Sequence, residues 1–467
     1  MSRVGVGIDF GTSNSVAAVY DGENLSLIRL EKGQDIMPSA TYLDSSKVAI
    51  TGEVAVSTYI RDNTGRTVEL VPEVIGVRSE FSGSEGSEEI TEVETKSENV
   101  YGAAVTDSGL KGRLFRGVKR LLGDNSIKRL MVFDQPFRLV ALITPLLRDI
   151  RQSIEELTGP LASAHLGHPV RFEGKDLHAS ELAKARLSEA FKYAGITDQK
   201  FCPEPIAAAI SYLHTRPRDR VQRVLTLDFG GGTLDFCILD RGNSGFKVLS
   251  THGIGLGGDH IDQLLYRHLL FPHLGKGKIW RRKGFDREIE TPFPFEDYED
   301  LLLNWAVTYT LNQNRFTAPV MECIESAGED AKCFVRLRDI IKHNLSYVLF
   351  TKIRDLKAEL SISDSAALDL EEIDLRVELT RAEFEAVIRK PLDQMTMAVD
   401  ETLRKSRIDP ISIDVVLRTG GSSLIPAVKQ ILDQKFPGKV VEHDPFTSVA
   451  GGLAIASYEG LSFETLS

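Results

Sequence analysis

The chain has 467 residues, 42% hydrophobic and 26% charged, a balance that can bury a large core and excludes wholesale disorder. Its formal net charge of −11 argues against a nucleic acid or an anionic membrane as main partner. There is no apolar run of the ~20 residues a membrane helix needs, no basic-plus-apolar leader, and no CxxC or zinc spacing among Cys202, Cys237, Cys323 and Cys333, so a cytoplasmic protein with reduced, buried thiols is expected.

In chain order, Val4-Gly5-Val6-Gly7-Ile8 and Val16-Ala17-Ala18-Val19 read as strands around the polar turn Asp9-Phe10-Gly11-Thr12-Ser13-Asn14, a hairpin signal. Residues 74–108 read as an acidic insertion. Between Glu80 and Glu98 its only basic residue is Lys96, which predicts a solvated, disordered segment. Ala183, Leu187, Ala190, Phe191 and Ala194 recur at helical spacing, with Gly195 placed to end that helix. A second hairpin follows, with strands at 224–227 and 234–239 around Asp228-Phe229-Gly230-Gly231-Gly232-Thr233. Both turns open on Asp-Phe-Gly and carry a threonine just after. That repeat has far too long a period for a solenoid and suggests two similar halves.

The glycine cluster 253–258 precedes a helix with Ile261, Leu264, Leu265 and Leu269 on one face. Residues 276–283 are a basic run around Trp280; a solvated loop is the first reading and an anion or nucleic-acid patch the second. Ile341, Leu345, Val348, Leu349, Leu356 and Leu360 predict one long helix. Residues 415–417 read as a strand, followed by a Gly420-Gly421 turn and a helix with Pro426 in its first turn. Strands alternating with amphipathic helices make the fold class α/β.

Glycine lets a turn bring successive backbone N–H groups close to a ligand, where they form a concave site for phosphate oxygens. An aspartate at the strand end adds a hard oxygen for Mg²⁺, usually reached through the metal's waters. Two such hairpins facing each other can grip a diphosphate from both sides. A helix N-terminus after glycines, as at Gly258, is a further anion site.

Together with Met37-Pro38-Ser39, Thr51-Gly52-Glu53-Val54-Ala55, Val118-Lys119-Arg120-Leu121-Leu122-Gly123, Pro203-Glu204-Pro205-Ile206-Ala207-Ala208-Ala209 and the stretch from Lys357 to Ser361, these motifs resemble, in order, the ATPase domain of the 70-kDa heat-shock chaperones (DnaK-type), a branch of the actin/sugar-kinase superfamily. The insertions before Gly112 and across residues 272–342 have no counterpart in that pattern. The resemblance implies an actin-like ATPase fold of two similar lobes, each a central mixed sheet flanked by helices, with nucleotide in the cleft between them. Lobe I would span 1–219, lobe II 220–439, and residues 440–467 would be a strand and helix returning to lobe I.

The resemblance also implies roles. ATP or ADP with Mg²⁺ would be the cofactor, the metal held through water by Asp9 and Asp228. Gly11, Thr12, Ser13 and Asn14, with Gly230, Gly231, Gly232 and Thr233, would contact the phosphates. Lys119 would stand near the γ-phosphate and the attacking water, and Glu204 would help to place that water, making Lys119, Glu204 and Asp228 the catalytic set. Asp235 would add a carboxylate, with K⁺ as its candidate ligand. Gly257, Gly258, Asp259, Gly420, Gly421 and Ser422 would complete the nucleotide-binding set, and Lys357, Ser361 and Leu424 would lie at the ribose and base. Taken alone, Lys119 reads first as part of a solvated helix face, and Glu204 before Pro205 as a helix cap.

The base end departs from the family pattern. Ala358 and Leu424 replace the two arginines that sandwich the base there, Arg354 stands where an acid is expected, and Phe446 follows Asp444-Pro445 in place of another acid. A protein-kinase reading of Arg354-Asp355-Leu356-Lys357 with Asp228-Phe229-Gly230 fails, because the order of the two motifs is reversed. Past Pro445 the sequence offers one small-residue helix, from Ser448 to Tyr458, and a tail. The expectation is therefore an ATPase module without the family's peptide-binding domain, with any client or adaptor protein engaging the insertions. The leading function is a slow, chaperone-related ATP-hydrolysing switch. The alternatives are an actin-like nucleotide-dependent filament and, behind it, a small-molecule kinase.

Overall fold

The computed structural model describes residues 3–68, 70–81, 95–107, 109–133, 135–172, 178–214, 216, 222–242, 245–283, 287–326 and 328–461. The tail beyond 461 and the centre of the acidic insertion, 82–94, lie outside the described residues. Flanking that centre, Leu70–Phe81 and Thr95–Asp107 pair as a long antiparallel ladder, so part of the segment expected to be disordered is a hairpin.

Two sheets of the same topology organise the chain. In the first, the order is Asp198–Pro203, Ser163–His168, Gly5–Phe10, Asn14–Tyr20, Leu25–Leu27, with Met37–Pro38 also on Asn14–Tyr20. In the second it is Val440–Glu442, Val415–Thr419, Gln222–Phe229, Leu234–Gly242, Gly245–Ile254. Both have three consecutive antiparallel strands with two further strands added in parallel. Elements cover both faces of the central strands, which therefore read as continuous apolar runs rather than alternating ones. The duplicated Asp-Phe-Gly turns are thus the same corner of two equivalent sheets.

Between the sheets lie the helices Glu204–His214 and Ser448–Glu459, sharing a buried cluster of small residues that includes Ala207, Ala208, Ala450 and Ala454. Their backbones approach so closely that a Cβ on Gly452 would sit 1.7 Å from the Ala207 carbonyl oxygen. Val440–Glu442 pairs within the second sheet; it is the helix Ser448–Glu459 alone that returns to the first.

Other expectations need correction. The single helix expected across 341–360 is two, Ala331–His343 and Ser346–Ile362. Asn344 takes the left-handed conformation (φ 51°) and Leu345 N–H donates to Ile340 O, a helix-ending turn that asparagine tolerates at little cost. Cys202, Cys237 and Cys323 are buried as free thiols, whereas Cys333 is only half-buried. The basic run around Trp280 forms the hairpin Ile279–Lys283 with Glu288–Pro292. Arg281 pairs with Glu290, Lys276 with Glu299 and Lys278 with Asp330, so acidic neighbours answer its charge.

The cores also ignore the expected lobe boundary at 219. Ala40, Tyr42, Ala55, Val56 and Tyr59 belong to the same buried cluster as the second sheet. The segment expected to be an insertion accounts for this. Tyr59, on the helix Gly52–Asn63, packs its ring edge-on against Trp305 and Tyr309, and its hydroxyl donates to the carbonyls of Trp305 (3.2 Å) and Ala306 (2.9 Å). Nearby, Asn312 Nδ2 donates to Arg66 O at 2.7 Å. Among the described residues no helix is long and apolar enough to cross a membrane.

Candidate functional site

The two hairpin turns meet over one cavity of about 580 Å³. Asp9 and Asp228 each stand next to last, in the strands Gly5–Phe10 and Gln222–Phe229. Both line the cavity, with Gly11, Thr12, Ser13 and Asn14 from the first turn and Gly230, Gly231, Gly232 and Thr233 from the second. The turns are in direct contact: a Cβ on Gly231 would lie 2.8 Å from Ser13 Oγ. Ser13 Oγ donates to both Asp259 carboxylate oxygens at 3.2–3.3 Å, and Gly231 O accepts from Asp259 N–H at 2.9 Å. These contacts seat the helix Gly258–Leu269 with its N-terminus on the cavity wall.

Lys119 and Glu204 come from distant parts of the chain. Lys119 lies in the 3₁₀ turn Val118–Leu121, and Glu204 opens the helix Glu204–His214. Lys119 Nζ donates to Glu204 Oε1 at 2.7 Å, both side chains buried. Burial works against the ammonium, but the charges of Glu204 and Asp9 outweigh it and hold the Lys119 pKa above the usual lysine value. The carboxylates shift the other way. Burial, reinforced by Glu204, pushes Asp9 and Asp235 up to about 7, and burial with Glu204, Asp235 and Asp9 pushes Asp228 well above the usual range. Four acids thus share one buried ammonium. Asp9 Oδ1 and Asp235 Oδ1 are buried without a hydrogen-bond partner.

Such a cluster suits a cation. Among the described residues no three Asp, Glu, His or Cys side chains converge as direct metal ligands. Asp9 and Asp228 line the cavity together, Asp9 with an unpartnered oxygen, and such carboxylates can hold a hydrated divalent ion.

The remaining sequence-predicted residues are distributed as follows. Gly258, Asp259, Lys357, Ser361, Gly420, Gly421, Ser422 and Leu424 line the same cavity. Asp235 and Gly257 do not. Asp235 lies across the strand pair from Asp228, where it accepts from Thr233 Oγ1 at 2.8 Å, and Gly257 packs on the Gly231 carbonyl, which a Cβ there would approach to 2.1 Å. Gly420 carries a positive φ of 80° and donates its N–H to Pro445 O. Three charged wall residues escaped the sequence reading: Arg120, Asp262 and Glu442. Arg120 reaches across to Asp259 (3.0 Å) and Gly231 O (3.2 Å), and Asp262 pairs with Lys357 at 2.5 Å. Asp262 was findable, since it lies three residues beyond Asp259 and so on the same helix face. Arg120 was not, because its partners are more than a hundred residues away in sequence.

Comparison with known proteins yields a consistent set. The model of a family described as Hsp70 protein matches residues 5–117, 147–282 and 334–458. The match runs across the acidic segment 74–108 and takes in 272–282 and 334–342. Residues 118–146, with Lys119, and 283–333, with Trp305, fall outside it. The chaperone protein DnaK of Prochlorococcus marinus (strain MIT 9515) is 24% identical over 455 residues, covering 96% of this chain and 58% of DnaK. That of Mycoplasmopsis synoviae (strain 53) is 22% identical over 453 residues, covering 96% and 57%. The chain thus spans less than three fifths of the length of these relatives.

Proposed function

The chain belongs to the Hsp70 family, and on that premise we propose that it is an ATP-binding, ATP-hydrolysing molecular switch of the chaperone type. One observation carries the reading: both Asp-Phe-Gly hairpins and the buried Lys119–Glu204 pair line a single cavity. The turn backbones and the hydroxyls of Thr12, Ser13 and Thr233 receive the phosphates, and Asp9 and Asp228 hold hydrated Mg²⁺. When bound, the ion neutralises phosphate charge and orients the oxygens. Lys119 supplies a fixed positive charge where negative charge develops at the γ-phosphate, and Glu204 holds the ammonium there and accepts a hydrogen bond from the attacking water. Phosphoryl transfer asks a protein mainly for this positioning and charge stabilisation. A buried, preset ion pair supplies both with little reorganisation.

Isothermal titration with ATP and ADP, with and without Mg²⁺, together with phosphate release under steady state, tests the reading. Mg²⁺-dependent binding with slow, ATP-dependent phosphate release is expected. No heat of binding at millimolar ATP would overturn it.

A further inference from the structure

Part of the cavity wall is apolar and bare. Phe446 is 52% exposed and Ile362 84%, and both line the cavity with Leu424 and Ala358. The backbone that carries Phe446 is fixed in advance. Asp444 Oδ1 accepts from the N–H groups of Phe446 (3.2 Å) and Thr447 (3.1 Å), Pro445 O accepts from Gly420 N–H (2.9 Å), and the ring edge abuts Gly421, where a Cβ would meet Phe446 Cε1 at 2.9 Å. Three polar side chains lining the same cavity, Ser361, Arg354 and Glu442, already have partners. Ser361 Oγ donates to Lys357 O, Arg354 donates to Thr351 Oγ1 and Phe350 O, and Glu442 pairs with Arg418. A planar group entering here meets the apolar faces of Phe446, Leu424 and Ile362.

We propose that Phe446, with Leu424 and Ile362, forms a slot that holds the nucleobase by its face, so that the protein accepts purine nucleotides generally rather than adenine nucleotides alone. This rests on the nucleotide reading above, since the phosphate turns of the same cavity fix where the base must go. Stacking on an aromatic side chain accepts any base because every base presents a π-face. With the backbone already held, only side-chain freedom is lost on binding.

The test is titration of wild type, Phe446→Ala and Phe446→Trp with ATP, GTP and inorganic tripolyphosphate, all with Mg²⁺. ATP and GTP are expected to bind wild type within about fivefold of each other, because face contacts discriminate weakly. Phe446→Ala should weaken both by about tenfold and leave tripolyphosphate unchanged, while Phe446→Trp should keep nucleotide affinity and show quenched indole fluorescence on binding. Wild-type ATP affinity in Phe446→Ala, an equal loss of tripolyphosphate, or a strong preference for ATP over GTP would each overturn the slot while leaving the phosphate site standing. Failure of wild type to bind either ATP or tripolyphosphate would instead overturn the nucleotide reading itself.

Discussion

Lys119 is worth most as a charge held in one place. Replacing it with alanine leaves Glu204 buried without its ammonium beside three further acids, and removes the positive charge proposed to face the γ-phosphate. Lys119→Ala should lower the ATP hydrolysis rate by at least about a hundredfold, the scale of losing one preorganised electrostatic contact, while ATP affinity changes only several-fold. Single-turnover phosphate release alongside titration separates the two, and a wild-type rate would remove Lys119 from the chemistry. Asp9 makes a pH-dependent prediction. Its folded-state pKa of about 7 exceeds the ordinary 3.8, so the folded chain keeps a proton that the unfolded chain gives up. The stability gained from that proton is full below the ordinary value and drains away as pH climbs to about 7. The thermal midpoint of the ligand-free protein should therefore fall between about pH 4 and pH 7, and Asp9→Asn should flatten the fall. Identical slopes would exclude Asp9 as a source. Asp9 and Asp228 were legible because Asp-Phe-Gly occurs twice; the Lys119–Glu204 contact was not, since 85 positions separate the partners and composition carries no trace of their meeting.

At the level of elements, the two hairpins and the Gly258–Leu269 and Pro426–Lys435 helices follow from local chemistry: apolar runs, glycine turns and a proline at the first helical position. What local pattern missed was interruption and partnership. The apolar spacing through Ile341 and Leu345 continues smoothly across Asn344, because a left-handed turn resets a helix without breaking the hydrophobic rhythm. Phe293, Phe295, Tyr298 and Trp305 show no period, since they pack on one another and on Tyr59 rather than along one helix face. The crossing of Glu204–His214 with Ser448–Glu459 allows a direct measurement. Gly452→Ala forces the two backbones apart and should cost about 2–3 kcal/mol, the range for an overpacked core, read as a lowered denaturation midpoint. A cost below about 0.5 kcal/mol would mean that the crossing relaxes freely.

For the whole molecule, the decisive addition is the segment 283–333, which lies outside the family match and yet ties Tyr59 into the core of the second sheet. Tyr59→Phe keeps the ring and deletes the two bonds to the Trp305 and Ala306 carbonyls. One hydroxyl proton is shared between the two carbonyls and contributes about 1 kcal/mol, so loosening the tie should speed release of a fluorescent ADP analogue by roughly fivefold in stopped flow. An unchanged release rate would show that the tie does not govern exit. The helix crossing between the sheets bears on the same motion from the other side. Its backbones touch at Gly452 and Ala207, and Ile206, Ile210, Val449 and Leu453 pack around them, so separating the sheets there breaks many contacts. The helix crossing and the Tyr59 aromatic tie thus join the two sheets at two places, the second built from chain outside the family match.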